Sequence, residues 1–476
     1  MQPPVPAPGP AAVSALPLKP ALVALIAAFG LWISLMPPAG LTPTQAQTLG
    51  IVLLTLTLWG TAVVPGYLAS MIFFSAVIVL HLAPAEMVFA GFGSTAVWLI
   101  VSGFVIGAAI SVSGLGQRLA DLIAPMLTGS YPRLIGGLML VSMLLGFLMP
   151  SSVGRAVVLV PIGMALADRV GFGPGSKGRI GIAAVLAIGC NMPSFAILPS
   201  NIPNMVLTGA AETIHGAHFG YMEYLLLHYP VLGIAKGLAT VLLVIWLFPA
   251  RITESTDHAT SDSAPRAKVS GAVQARVAVI LLATLALWMT DSLHGINAAW
   301  VGMIAASLLL MPKIGVVTPP AFKASVDFGL LMFVAGALAL GTLVNVSGLG
   351  ALLGQALEQL LPLDHGAAAL NFMSLSVMST VTGLFTTVPG VPAVLTPMAG
   401  DLAAQTGFDL RAVLMTQVVG FSTILFPYQI SPLVLAMQLS GERLGHLLRI
   451  TLPLAVVTVT LLMPLDYLWW HLLGWV

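Results

Sequence analysis

Apolar positions along this chain fall in long blocks, with neither the alternation of strands nor the stripes of surface helices. Blocks lie near 21–36, 46–63, 66–82, 94–112, 180–210, 222–249, 276–292, 297–312, 327–345, 410–438 and 446–474, divided by short polar or Gly/Pro stretches. A helix crosses a bilayer with roughly 20 apolar residues, so each block predicts one span. Two further apolar stretches, about 133–168 and 367–404, break in the middle at Ser/Thr/Gly/Pro clusters. Each holds two half-length helices and reads as a re-entrant hairpin. Segments 114–128 and 348–362 read as short amphipathic helices at the interface. The expected fold is an all-α polytopic membrane protein of about eleven transmembrane helices plus two re-entrant hairpins.

The chain also repeats itself. Val112-Ser113-Gly114-Leu115-Gly116 recurs as Val346-Ser347-Gly348-Leu349-Gly350. Farther on, the stretch Pro161 to Phe172 aligns without gaps on Pro397 to Phe408, sharing Pro, Leu, Ala, Gly and Phe. Such duplication in an apolar chain points to a transporter built from two structural repeats. Residues 1–20 form a Pro/Ala-rich tail expected to be disordered, and 21–45 hold the first helix and its loop. The run from Ala21 reads as a span and not as a signal-peptide core, because no basic segment precedes it. Repeat 1 covers 46–249 with hairpin 133–168, and repeat 2 covers 276–474 with hairpin 367–404. The polar stretch 250–275 joins them. Five spans and one hairpin per half give inverted topology, because an odd number of crossings flips the second copy.

Composition narrows the function. Apolar residues make up 58% of the chain and charged residues 7%, against about 25% charged in a soluble domain; mean hydropathy is +1.03. A net charge of +1 argues against a nucleic-acid partner. The single cysteine, Cys190, excludes an intrachain disulfide or a zinc cluster, and the histidines show no metal-ligand spacing. His215 and His218 flank an external loop. With the N-terminus cytoplasmic and the C-terminus external, Arg411 alone lies outside, Arg155 and Lys236 lie within the membrane, and every other Lys and Arg falls inside. That asymmetry obeys the positive-inside rule for an inner (cytoplasmic) membrane protein.

The duplicated Ser-Gly-Leu-Gly before an interfacial helix, a hairpin tip ten residues before Pro161 or Pro397, and a Pro/Asn-rich break in the following span together resemble the divalent-anion:sodium symporters. The resemblance covers about residues 46–474. It implies transport of di- or tricarboxylates or sulfate by an elevator motion in a homodimer, often coupled to sodium. Family tips read Ser-Asn-Thr. Here the first reads Ser151-Ser152-Val153-Gly154-Arg155 and the second Thr387-Val388-Pro389-Gly390-Val391. Both lack the asparagine and the third hydroxyl, so the sodium-holding side chains are incomplete; a coupling sodium is expected, if anywhere, near Ser151, Asn191 and Thr387. No other cofactor is implied. The stretch Pro199-Ser200-Asn201-Ile202-Pro203-Asn204 is similar to the family's broken span, with Gln429 in its symmetry mate.

The tip makes physical sense without the family. A half-helix starting near Ser151–Gly154 aims its unpaired N–H groups and its dipole at an anion. Ser151 and Ser152 offer hydroxyls or simply cap the helix, and Gly154 admits a close ligand. Candidate substrate contacts are Ser151, Ser152, Gly154, Arg155, Asn201, Asn204, Thr386, Thr387, Gly390 and Gln429. A cation at the bilayer centre costs on the order of 2.5–3.5 kcal/mol, so Arg155 is expected to stand in for sodium and touch the substrate carboxylate. Its alternatives are an acid partner or the headgroups. Lys236 could equally belong to a buried subunit contact. Asp121, Asp168, Asp327 and Asp401 sit near span ends, so no buried carboxylate is expected to carry a proton. The expected function is secondary active transport of small anions, foremost di- or tricarboxylates, with a sulfate or other inorganic or organic anion permease, by symport or exchange, as the alternative and an intramembrane enzyme as a remote one. An intramembrane enzyme would need clustered acids or a Ser/His pair, and a channel would need a continuous pore.

Overall fold

A computed structural model of the chain describes residues 18–116, 118, 129–252, 270–358 and 361–476. The described residues contain helices and no strands, and nine of the helices are long and apolar enough to cross a membrane. The expected tail lies outside the described residues up to position 17, and the first helix already begins at Leu18. Most of 114–128 and of 250–275 also lie outside them.

Helices α1 (Leu18–Leu35), α2 (Pro43–Thr61), α3 (Gly66–Val79) and α4 (Thr95–Ser113) open the chain. Polar caps set the starts of α2 and α4: Thr42 and Gln45 close a capping box on α2, and the Ser94 hydroxyl accepts from Val97 N on α4. The first hairpin is α5 (Tyr131–Leu148) and α6 (Ser152–Arg169). The span after it breaks: α7 (Lys177–Gly189) stops, two short 3-10 turns follow, and α8 (Ile202–His215) resumes. Next, α9 (Tyr221–His228) and α10 (Lys236–Leu247) are joined through a π-helical turn over Tyr229–Ala235.

The second half repeats this order. It runs α11 (Gly271–Met289), α12 (Ala298–Leu310), α13 (Phe328–Val346) and the short α14 (Leu349–Glu358). The second hairpin goes up through α15 (Ala368–Phe385) and returns through short turns to α16 (Ala399–Thr406). A second broken span follows as α17 (Leu410–Phe421) and α18 (Ser431–Ser440). The last span, α19 (Gly445–Val457) and α20 (Met463–Leu472), also carries a π turn, over Thr458–Leu462.

The duplicated motif has a structural reason. Gly114 and Gly348 adopt φ of 65° and 73°, the left-handed conformation that ends a helix. In both copies the preceding serine hydroxyl accepts from the leucine N–H after the glycine, at 3.4 Å. The start of α11 also ties back to the end of α4: the Gln274 amide donates to Ser113 O.

What faces outward is apolar. Leu25, Leu242, Val279 and Leu468 project from α1, α10, α11 and α20 and are exposed. Only lipid makes such a surface stable, which fits the scarcity of charge. The core lies where the hairpins meet the broken spans. Helix α6 packs on α18 and α7, while the tip of the second hairpin packs on α8. Each hairpin therefore rests partly on the opposite repeat.

Candidate functional site

The first hairpin tip is a capped helix start. The Ser151 hydroxyl accepts from Gly154 N at 3.0 Å, fixing α6 so that its first turn faces a cavity. That cavity is about 350 Å³ and is lined by Pro150–Gly154, Ser200–Ile202, Met205, Pro432 and one face of α4. Ile100, Gly103, Phe104, Gly107, Ala108 and Ser111 form the α4 face. A second space, of about 450 Å³ between α5 and α11, is walled by apolar side chains alone and offers nothing to orient an ion.

Helix polarity gives the first cavity its chemistry. The N-termini of α6, α8 and α18 all reach it, at Ser151–Gly154, Asn201–Ile202 and Pro432. Neither α8 nor α18 has a side-chain cap; α8 can offer Ile202 N, whereas α18 meets the cavity at Pro432, which has no N–H, and contributes through its dipole alone. Each such end carries a partial positive charge and favours an anion. A fourth N-terminus, that of α13, also lies at the rim. Its cap is Asp327, whose carboxylate accepts from Leu330 N at 3.0 Å and so offsets that end internally.

Arg155 sits below the cavity floor and does not line it. Its side chain is fully buried. Nε and Nη2 donate to Cys190 O at 3.0 and 2.8 Å, and Nη1 donates to Met149 O and to the Ser200 hydroxyl. Nη2 also donates to the Ser152 hydroxyl at 3.0 Å. A guanidinium has five N–H donors, and here protein oxygens engage every one. The expected direct contact with a substrate carboxylate is therefore not what this geometry provides. Met149 and Cys190 are the C-terminal caps of α5 and α7, so the cation neutralises two negative helix ends. No described acid pairs with it. Its charge acts on the cavity through Ser152 and Ser200, which touch both the guanidinium and the cavity wall.

The other expected contacts divide in two. Ser151, Ser152, Gly154 and Asn201 line the cavity. Asn201 donates to the Asn191 side chain and to the Ser194 hydroxyl, while Ser152 and Ser194 lie 3.4 Å apart. Asn204 points back into the break, donating to Ser194 O and Ile197 O. At the second tip, the Thr386 hydroxyl bonds Thr382 O, Thr387 Oγ1 is buried without a partner, and Gly390 N donates to Thr387 O. Gln429 accepts from Leu425 N and Phe426 N and donates to Gly383 O, which spends its amide on the break itself. Thr386, Thr387, Gly390, Asn204 and Gln429 are not among the residues around the cavity.

Two further buried residues matter here, Lys236, which the sequence reading placed within the membrane, and Asp466, which it passed over. Lys236 is buried and donates to Ser422 O at 2.7 Å, capping the C-terminus of α17. Asp466, inside the last span, is fully buried, which corrects the expectation that no carboxylate lies within the membrane. Beside Ser151 and Asn191, the Met149 and Cys190 carbonyls accept from Arg155. No described hydrogen bond ties Thr387 to that group.

A protein of Cupriavidus necator described only as a membrane protein is 25% identical over 96% of this chain and 93% of its own length. The citrate/succinate antiporter of Escherichia coli K12 is 28% identical, over 46% of each chain. The sodium-dependent dicarboxylate transporter SdcS of Staphylococcus saprophyticus is 25% identical over 69% of this chain and 68% of its own. The solved YdaH transporter of Alcanivorax borkumensis has the same fold at a TM-score of 0.55 and 16% identity, covering 91% of this chain and 99% of that one. The family model of the sodium:sulfate symporter transmembrane region matches residues 19–476. A chain matched over nearly its whole length, with the repeated hairpins and broken spans in place, belongs to this family of multi-pass membrane transporters, the divalent-anion:sodium symporters.

Proposed function

We propose that the protein is a secondary active transporter of small di- or tricarboxylates, with Arg155 as a built-in cation and little or no dependence on sodium. The observation that carries this reading is the convergence of the α6, α8 and α18 N-termini on one cavity with a fixed positive charge beneath it. The acceptors of the same broken elements turn away from the cavity, toward Arg155 and Lys236. Donors thus face the substrate and carbonyls face cations, the sorting that discontinuous helices favour in transporters.

The substrate's oxygens bind to the Ser151 and Ser152 hydroxyls, the free N–H groups of the first turn of α6, and Ile202 N. Asn201 orients the far wall. Transport follows an elevator motion in which the hairpins and broken spans move past α4, whose Gly103 and Gly107 lie against Pro150 and Ser151 of the first tip. The moving unit works in a homodimer in the cytoplasmic membrane, with the N-terminus inside and the C-terminus outside. Names of relatives support a carboxylate substrate, and the antiporter among them supports exchange as the coupling mode.

The test is counterflow in proteoliposomes. Vesicles loaded with unlabelled succinate, citrate or sulfate are diluted into labelled succinate, and each internal anion is scored by the uptake it drives. Succinate or citrate driving uptake supports the reading. Uptake driven by sulfate alone favours the second reading, an inorganic anion permease, which the family's sulfate members bring forward. No uptake with any of the three anions rejects both.

A further inference from the structure

Away from the cavity, the π turns of the two final spans bring an acid and a base together inside the protein. Lys236 follows the turn over Tyr229–Ala235, and Asp466 lies one helical turn past the turn over Thr458–Leu462. These turns are in contact. π turns widen a helix locally and often mark functional positions. Lys236 is 2% exposed and Asp466 is 0% exposed. The lysine spends its ammonium on Ser422, donating to the carbonyl at 2.7 Å and to the hydroxyl at 3.4 Å. Asp466 has no such arrangement, because neither carboxylate oxygen has a hydrogen-bond partner among the described residues.

An ionised carboxylate buried without a partner is costly, and such a group binds a proton or draws in a cation. The turn over Tyr229–Ala235 also packs on α20, which carries Asp466, so the two groups stand at one packed junction. The two are not in salt-bridge contact, since the lysine is turned to Ser422. Other titratable groups on the surrounding helices are Tyr221, Tyr224 and His228 on α9, Tyr229 in the first π turn, Cys190 at the end of α7, and Tyr467 next to Asp466. His228 is buried with Nδ1 unpartnered and stacks edge-on against Trp470, whose indole N–H approaches Asp466 without closing a hydrogen bond. Arg133, Lys177, Arg179, Glu223, Arg411, His446, Arg449 and His471 lie toward the ends of their helices.

We propose that Asp466 is a proton-binding site whose occupancy decides where Lys236 points. With the proton on the carboxyl, Asp466 is neutral and Lys236 stays on Ser422 O, closing the end of α17. When the O–H bond breaks and the proton leaves to solvent, the carboxylate pulls the ammonium toward itself, and Ser422 O loses its donor. Lys236 keeps all three of its protons throughout. Ser422 opens the break that leads through Gln429 to Pro432 at the cavity, so a proton on Asp466 favours the cavity geometry described above. The transporter thereby acquires a proton dependence of its own, separate from protonation of the substrate.

The test is infrared spectroscopy of the reconstituted protein as pH is varied, with uptake measured in parallel. The site predicts a carbonyl stretch of a buried, protonated carboxyl that shifts on carbon-13 labelling of aspartate. It should titrate with pH, disappear in Asp466→Asn and move in Asp466→Glu. In Asp466→Asn the change in uptake with pH should flatten to that of substrate ionisation. If Asp466→Asn fails to fold, the labelled wild type and Asp466→Glu still decide. No aspartate-derived band, a band that does not titrate, or an unchanged pH profile in a folded Asp466→Asn protein would overturn the proposal. The spectral readout does not depend on which anion is carried, so its failure is separable from failure of the transport reading.

Discussion

Replacing Arg155 by alanine removes the fixed charge beneath the cavity, and its cost can be worked from the geometry. Nη2 lies 3.0 Å from the Ser152 hydroxyl, and an anion hydrogen-bonded to that hydroxyl sits about 2.8 Å farther on. At a separation of about 6 Å and an effective dielectric near 20, the attraction is about 3 kcal/mol, or roughly a hundredfold in affinity. Arg155→Ala also strands the Met149 and Cys190 carbonyls, so some loss of stability accompanies the loss of binding. The informative assay is substrate affinity on the folded, reconstituted variant, measured with choline, sodium or guanidinium as the cation. Arg155→Ala should bind about a hundredfold more weakly in choline. Sodium or guanidinium should restore part of the affinity, because the vacated oxygens form a cage suited to a cation. Arg155→Lys should fall between, keeping the charge but losing the planar fork. A folded Arg155→Ala protein within about threefold of wild-type affinity in choline would refute the reasoning.

Three further outcomes follow. An ideal Cβ on Gly107 would lie 4.0 Å from Ser151 Cβ, within the usual disulfide range of about 3.5–4.5 Å; Gly107→Cys with Ser151→Cys should therefore lose uptake on oxidation and regain it with reductant, and persistent uptake in the cross-linked protein would contradict movement of the hairpin past α4. Ser152→Ala should weaken substrate binding by roughly tenfold, the worth of one charge-assisted hydrogen bond, whereas Thr387→Val should change it little; equal losses in titration calorimetry would mean that the second tip joins the site. Ser200→Ala, which removes a hydroxyl that accepts from Arg155 and donates to Gly146 O, should lower stability by about 1–2 kcal/mol in thermal unfolding, and an unchanged midpoint would show that this network contributes nothing.

The spans and hairpins were legible because lipid imposes a simple rule: apolar residues must run long enough to cross, and a break must be buried. Ser/Thr/Gly/Pro clusters therefore gave the hairpin tips to within a few residues, and the VSGLG copies marked the left-handed glycines that end α4 and α13. The site was legible only in part. Helix α6 begins at Ser152, so Arg155 comes round to the same face three residues on, toward the α7–α8 break and away from the cavity; that direction depends on where the helix starts. Pro432 was hidden because it marks the end of α18 at the cavity while bringing no N–H or other polar group of its own. Lys236 and Asp466 stand in separate repeats, and π turns shift their helical register, so linear spacing carries no sign that they approach. Asp466 itself was visible inside the last apolar block.

The measurement that bears most directly on the central claim is labelled succinate uptake by the wild-type protein, with sodium replaced by choline on both sides of the membrane. A cation built into the fold predicts equal initial rates in the two salts. Loss of uptake in choline, regained on adding sodium, would mean that the transported ion supplies the charge and that Arg155 does not replace it.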